Sequence, residues 1–338
     1  MFSIIIANYN GGRYLQDCLD SVLNSNYASY ELIVVDDAST DDSVSIIRNY
    51  INQNKDKKIR LIKNKKNLGA AQSRNVAIQK AKGDVIVFLD NDTQVDPFWL
   101  VGLEEALKDP EVGAAQSLLI DYENRNLIQM AGGKLIPHTH WILPLHHKDS
   151  YKKVRKVLDF YEIIAISAAL AVKKEAIEIV EVFDEKEAVT TEDIDFSMKI
   201  WISGYRVVLA KNSIVYHYTK KPLERSYIKK IENIYFHLAK NSFRSIIKNY
   251  ELVYVFKYLP FSLAINLGRG FAFLIFRKDL SALKGSLKAI IWNIRNFADT
   301  LDERKHINGF RKKNWSYIYK HAMTSESLIN IYLNYFRN

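Results

Sequence analysis

Apolar positions along the first 95 residues follow two alternating rhythms. Short apolar runs rich in β-branched residues appear in "FSIIIAN" (residues 2–8), "YELIVVDDAS" (30–39), "IRLIKN" (59–64) and "VIVFLDND" (85–92). Runs of this length suit strands buried on both faces. Between them, apolar residues recur at helical spacing. Leu15, Cys18, Leu19 and Val22 share one helix face, and Val44, Ile47 and Ile51 share another. The cluster "STDDS" (39–43) suits a helix start, and Gly69 opens the helix expected over "AAQSRNVAIQKA". Repeated strand–helix units predict an α/β fold, a mainly parallel sheet flanked by helices. Ligands of such sheets bind beyond the carboxyl ends of the strands.

The pattern loosens after residue 98. "FWLVGLEEALKDPEVGAAQ" predicts a helix stopped at Pro110 and then a strand. "YEIIAISAALAVKKEAI" (161–177) reads as a buried strand pair or as a strand running into a helix. In "VTTEDIDFSMKIWISGYRVVL" (189–209), Thr190 and Thr191 are expected as helix caps, with Phe196, Ile200 and Trp201 on the buried face. Beyond residue 219 the segments lengthen. "IENIYFHLAKNSFRSIIKNY" is a basic amphipathic helix, and "LSALKGSLKAIIWNIRNF" repeats the theme. Between them, residues 252–276 are apolar enough to cross a bilayer but carry Lys257, Pro260 and Arg269, which favours a helix pair lying in the interface.

Charge divides the chain at the same place. Residues 1–218 hold 26 Lys and Arg against 30 Asp and Glu, and residues 219–338 hold 22 against 8, a local net of +14. We therefore expect two regions, an α/β domain over 1–218 and a basic helical region over 219–338. A basic region meets an anionic partner. Its apolar faces favour an anionic membrane surface and argue against nucleic acid. The single cysteine, Cys18, excludes a disulfide framework and favours a reducing compartment. "MFSIIIANYN" lacks the basic start and the long apolar run of a secretory signal.

Candidate chemistry gathers at the strand ends. Asn8-Tyr9-Asn10, Asp36-Asp37, the turn Asn67-Leu68-Gly69 and Asp90-Asn91-Asp92 each follow an apolar run or open the next helix. A buried strand ending in two carboxylates requires water or a cation there, because an unpaired buried charge is expensive. No glycine-rich dinucleotide fingerprint or P-loop is present. A helix start favours acids, but Glu192, Asp193 and Asp195 exceed what capping needs. His138, His140, His146 and His147 are spaced so that they could hold zinc or serve as ordinary loop histidines.

Taken together, "IIIANYNGGRYLQDCLDSVL", "ELIVVDDASTDDS", "NKKNLGAAQSRNVAI", "FLDNDT", "MAGGK", "ISAALAVKKEAI", "FDE", "TEDIDFSMKI" and "GYRVVLAKNSIVYH" resemble, in order and spacing, the inverting glycosyltransferases of family 2 with the GT-A fold. "ENIYFHLAKNSFRSIIKNY" is similar to the segment that follows the catalytic domain in rhamnosyltransferase-like members. The resemblance implies a nucleotide-sugar donor, a glycan or lipid-linked acceptor and Mg²⁺ or Mn²⁺. It implies that Asp92 ligates the metal, that Asp90 contacts the ribose or metal, and that His217 completes the metal shell. Asp37 would bind the base, with Ala7 and Tyr9 lining its pocket. Asn67, Gly69 and Arg74 would approach the diphosphate and sugar. Asp193 would be the catalytic base, with Glu192 and Asp195 supporting the loop and helix start. Ala7, Ala168 and the glycine-free "EVFDE" depart from the family pattern. The implied reaction is transfer of a sugar to a hydroxyl with inversion, in cell-surface polysaccharide or glycoconjugate synthesis. Its implied place is the cytoplasmic face of the membrane, held peripherally or monotopically. The alternatives are a catalytically silent membrane scaffold and a metal-dependent nucleotidyltransferase; the oligomeric state is open.

Overall fold

A computed structural model describes residues 1–218 and 227–325. The first four strands are β1 (Phe2–Asn8), β2 (Tyr30–Asp36), β3 (Ile59–Lys63) and β4 (Val85–Asp90). They alternate with helices α1 (Gly12–Leu23), α2 (Ser43–Gln53) and α3 (Ala70–Ile78). All four strands run parallel, in the order β3-β2-β1-β4. Inward and outward residues both meet apolar neighbours. Ile5, Ile33 and Val35 join one core cluster, while Ile4, Ile6, Leu32 and Val34 join a second. That two-sided burial explains why these strands read as unbroken apolar runs.

The rest of the first region extends the sheet. β5 (Thr93–Val95) leads to α4 (Trp99–Ala106), β6 (Val112–Asp121) and β7 (Ile128–Met130). A hairpin of β8 (Gly133–Ile136) and β9 (Trp141–Pro144) follows, then the one-turn α5 (Tyr151–Val154). β10 (Ala169–Lys173) runs directly into α6 (Lys174–Val180), so a strand entering a helix is the arrangement found. A 3₁₀ turn at Glu185–Glu187, α7 (Glu192–Ile202) and β11 (Arg206–His217) complete it. β10 pairs antiparallel with β4 and β6, and β11 pairs parallel with β6. At its far end β11 meets β5, with His217 opposite Thr93.

Among the described residues five helices follow: α8 (Tyr227–Asn249), α9 (Leu252–Arg277), α10 (Ser281–Arg295), α11 (Phe297–Phe310) and α12 (Trp315–Ala322). Residues 252–276 are not the expected helix pair. Pro260 lies nine residues into α9, and the helix continues to Arg277. The expected boundary at 218/219 falls beside residues 219–226, which lie outside the described residues. The core crosses it: Ile246, Tyr250, Trp315 and Ile318 belong to the same buried cluster as Ile5 and Phe88. Two threonines expected as caps do not act as such. Thr191 occupies the cap position of α7 without a side-chain cap bond, and Thr190 adopts φ +88°.

Candidate active site

The parallel register fixes the site. Asn8 lies opposite Asp36, and Ala7 opposite Asp90, so the polar ends of β1, β2 and β4 share one edge. Asn91 Nδ2 donates to Asn8 Oδ1 at 2.7 Å, tying the loop after β4 to the end of β1. Gly11 permits this bond, since a Cβ there would stand 2.0 Å from Asn91 Nδ2. Ala7, Tyr9, Asp90, Asn91, Asp92, Gln129, His217 and Tyr218 line an open cleft of about 460 Å³. Of the residues singled out in the sequence, Ala7, Tyr9, Asp90, Asp92 and His217 meet here.

Asp90, Asp92 and His217 each offer one ligand atom, all within 4.8 Å of one another. His217 Nε2 lies 3.4 Å from Asp92 Oδ1. Its Nδ1 lies 2.7 Å from Gln129 Oε1, an acceptor. That contact holds the proton on Nδ1, the tautomer in which an imidazole can ligate a cation through Nε2. Two carboxylates and an imidazole make a donor set that fits Mn²⁺, and Mg²⁺ through its oxygens.

Arg74 sits behind this cluster rather than in the open cleft. It is buried, with Nη2 on Asp90 Oδ1 at 2.9 Å and Nη1 on Glu192 Oε1 at 3.4 Å. Asp37 is also turned to structural work. Its Oδ1 accepts from Leu68 N and Asn64 Nδ2, and its Oδ2 from Gly69 N at 2.8 Å. Asp37 thereby fixes the turn on which Asn67 stands exposed and Gly69 takes φ +86°.

Asp193 is half-buried at the start of α7. Its Oδ2 accepts from Ser167 N at 3.1 Å and its Oδ1 from Ile194 N at 2.8 Å. Burial raises its pKa, against the pull of the Ser167 amide and Arg74. Burial and the charge of Asp193 push Glu192 up to about 7, opposed by Arg74. A carboxylate with a raised pKa, held by backbone donors at a cleft, is a competent proton acceptor near neutral pH. Asp195 faces away from this site and pairs with Lys248 of α8 at 2.9 Å.

The four loop histidines do not converge. His140 Nδ1 contacts Tyr250 Oη, His146 pairs with Asp149, His147 Nδ1 contacts the Gln129 carbonyl, and His138 packs edge-on against Tyr258. Sequence reasoning missed Gln129, Ser167 and Asn64. Each is a single polar residue with no spacing to mark it.

A family model, glycosyl transferase family 2, matches residues 3–186 and so ends before Glu192 and Asp193. Two curated relatives show the range of similarity. The Escherichia coli UDP-Glc:alpha-D-GlcNAc-diphosphoundecaprenol beta-1,3-glucosyltransferase WfaP is 45% identical over 92 residues, 27% of this chain and 35% of WfaP. The Staphylococcus aureus poly(ribitol-phosphate) beta-N-acetylglucosaminyltransferase TarS is 26% identical over 224 residues, 65% of this chain and 36% of TarS. The chain thus spans about a third of the length of these curated relatives. Among solved structures, the Pyrobaculum calidifontis mannosyltransferase PcManGT, in complex with GDP-Man and Mn²⁺, superposes with a TM-score of 0.55 at 21% identity. That match covers 88% of this chain and 87% of PcManGT and shows the GT-A fold. With its family model matched over more than half its length, the chain belongs to glycosyl transferase family 2.

Proposed function

We propose that the protein transfers a sugar, with inversion, from a nucleoside-diphosphate sugar to a hydroxyl of a glycan or lipid-linked acceptor. The observation that carries this reading is the convergence of Asp90, Asp92 and His217 within 4.8 Å beside the cleft. Mg²⁺ or Mn²⁺ bound there would offset charge on the departing diphosphate. Ala7 and Tyr9 line the same cleft and offer a surface for the base. Arg74 sets the position of Asp90 and places a positive charge behind it. Asp193 accepts the proton of the attacking hydroxyl, and the Ser167 amide aims its Oδ2. Inversion follows from a single displacement in which base and leaving group lie on opposite faces of the sugar.

The reaction is placed at the cytoplasmic face of the membrane, where nucleotide sugars meet lipid-linked acceptors. Exposed apolar side chains on α9 and α10, among them Phe256, Ile275, Phe276 and Ile294, support association with a membrane surface. The named relatives act on a lipid diphosphate acceptor and on poly(ribitol-phosphate), which supports the acceptor class.

Screening nucleotide sugars for nucleoside-diphosphate release, with and without chelator, tests the reading. Release should require metal and should be lost in Asp92→Ala. Full turnover in excess chelator would overturn the metal assignment, and release of pyrophosphate would mark a nucleotidyltransferase instead.

A further inference from the structure

The Ile194 amide holds Asp193 Oδ1 at 2.8 Å, but the turn that leads into α7 has little local support. Among the described residues the Thr191 hydroxyl has no hydrogen-bond partner, so α7 lacks its side-chain cap. Thr190, one residue earlier, holds φ +88°, a backbone region that β-branched residues avoid. Such conformations persist only where the surroundings over-determine them.

The surroundings come from α8. Asn241, Ser245, Lys248 and Asn249 recur on one helical face. Asn241 Nδ2 donates to the carbonyls of Glu187 at 2.9 Å and Val189 at 2.8 Å. Ser245 Oγ donates to Glu187 Oε1 at 2.8 Å. Lys248 Nζ lies 3.0 Å from Glu187 Oε1 and 2.9 Å from Asp195 Oδ2, and it also pairs with Asp184. Asn249 Nδ2 donates to Asp195 Oδ1 at 2.6 Å. Asp184, Glu187 and Asp195 have the composition and spacing of a metal site, but the Lys248 ammonium fills their centre. Lys248, Glu187 and Asp195 are fully buried.

We propose that α8 is the template that sets the catalytic base: Lys248, Asn241 and Asn249 are positioning residues that hold segment 184–195 so that Asp193 meets the acceptor hydroxyl. The helix following the sheet domain thereby completes a site whose donor side is built elsewhere. This inference rests on Asp193 being the base.

Single-turnover sugar transfer, nucleotide affinity, thermal unfolding and the pH profile of kcat test it in Lys248→Met, Lys248→Arg, Asn241→Ala and Asp193→Asn. A misplacement near 1 Å costs about 10²-fold in turnover. Lys248→Met should therefore lower kcat by about that factor and leave nucleotide affinity unchanged, since β1 and β4 carry the donor cleft. Charged groups around Asp193 are Arg74, Asp90 and Glu192; those around Asp195 are Lys248, Lys199, Asp184 and Glu187. Removing the ammonium leaves Asp195 less neutralised, which disfavours a second anion at Asp193. The acid limb of kcat should move to higher pH, and Lys248→Arg should restore part of both kcat and the limb. Asn241→Ala buries no unpaired charge and should fold, so it decides the matter if Lys248→Met does not. Wild-type turnover and an unchanged acid limb in Asn241→Ala, with only a lower unfolding temperature, would overturn the proposal. Wild-type transfer by Asp193→Asn would overturn the base assignment instead.

Discussion

Asp193 Oδ2 accepts one firm bond, from Ser167 N, and a longer 3.4 Å contact from Ser167 Oγ. Asp193→Asn keeps the size of the side chain but cannot take a proton. General-base catalysis contributes about 10²–10⁴-fold, so single-turnover transfer should fall by that order, while nucleotide affinity stays put. A carboxylate proposed as the base can act only when ionised. Its raised pKa therefore predicts that kcat falls on acidification at a higher pH than an ordinary aspartate would give. A pH profile of the wild type checks the direction. Much of this site was legible in the sequence, because Asp90 and Asp92 interrupt an apolar run that otherwise belongs in a core. Gln129 was not legible. It matters because it sets the tautomer of His217 across a fold-dependent 2.7 Å contact, and nothing local to "IQM" announces that. Arg74 was expected at the diphosphate, yet burial between Asp90 and Glu192 gives it a supporting place.

Where α6 ends, the chain turns through Glu181 at φ +61° and ψ −141°, a region suited to glycine. This is the glycine-free "EVFDE" noted in the sequence. The strain there is worth about 1 kcal/mol or more. The exposed His306–Glu181 pair at 3.4 Å offsets only a few tenths of that. Glu181→Gly relieves about 1–3 kcal/mol of strain and adds about 0.4–1 kcal/mol of freedom to the unfolded chain, so it should stabilise the protein by about 1 kcal/mol, read as a higher denaturant midpoint with activity intact. No gain would show that the turn is relaxed by contacts elsewhere. The strands and most helices of the first region were readable because two-sided burial and helical spacing leave different patterns. α9 was not readable as one helix. Pro260 and two basic residues suggested a break, but Pro260 forfeits one backbone bond inside α9 without ending the helix, and Arg269 is accommodated against the Trp141 ring at 4.2 Å.

Across the whole molecule the two halves differ in charge and in what they leave uncovered. The last 120 residues carry a net +14, and α9 and α10 leave Val253, Phe256, Ile275, Phe276 and Ile294 at 70% exposure or more. Basic residues near an anionic bilayer contribute roughly 1 kcal/mol each. The purified chain should bind anionic vesicles in co-sedimentation at low salt, and a fraction should stay bound at high salt through the apolar side chains. Indifference to anionic vesicles would remove the membrane reading, and complete release by salt would leave charge without insertion. Composition marks a change of charge near residue 219, but the core shared across it was not legible, since it depends on Tyr250 and its neighbours reaching elements that lie far earlier in the sequence. A ribosome delivers the chain in order, and the acids at 184, 187 and 195 emerge before the ammonium at 248. Until then those carboxylates lack their counter-charge, and α7 should stay loose. The strands that form the donor cleft are already available by then, so the nascent chain should grip nucleotide before it can transfer sugar. Protease resistance of α7 in stalled chains, gained only once residue 249 has emerged, would show that transfer competence waits for α8.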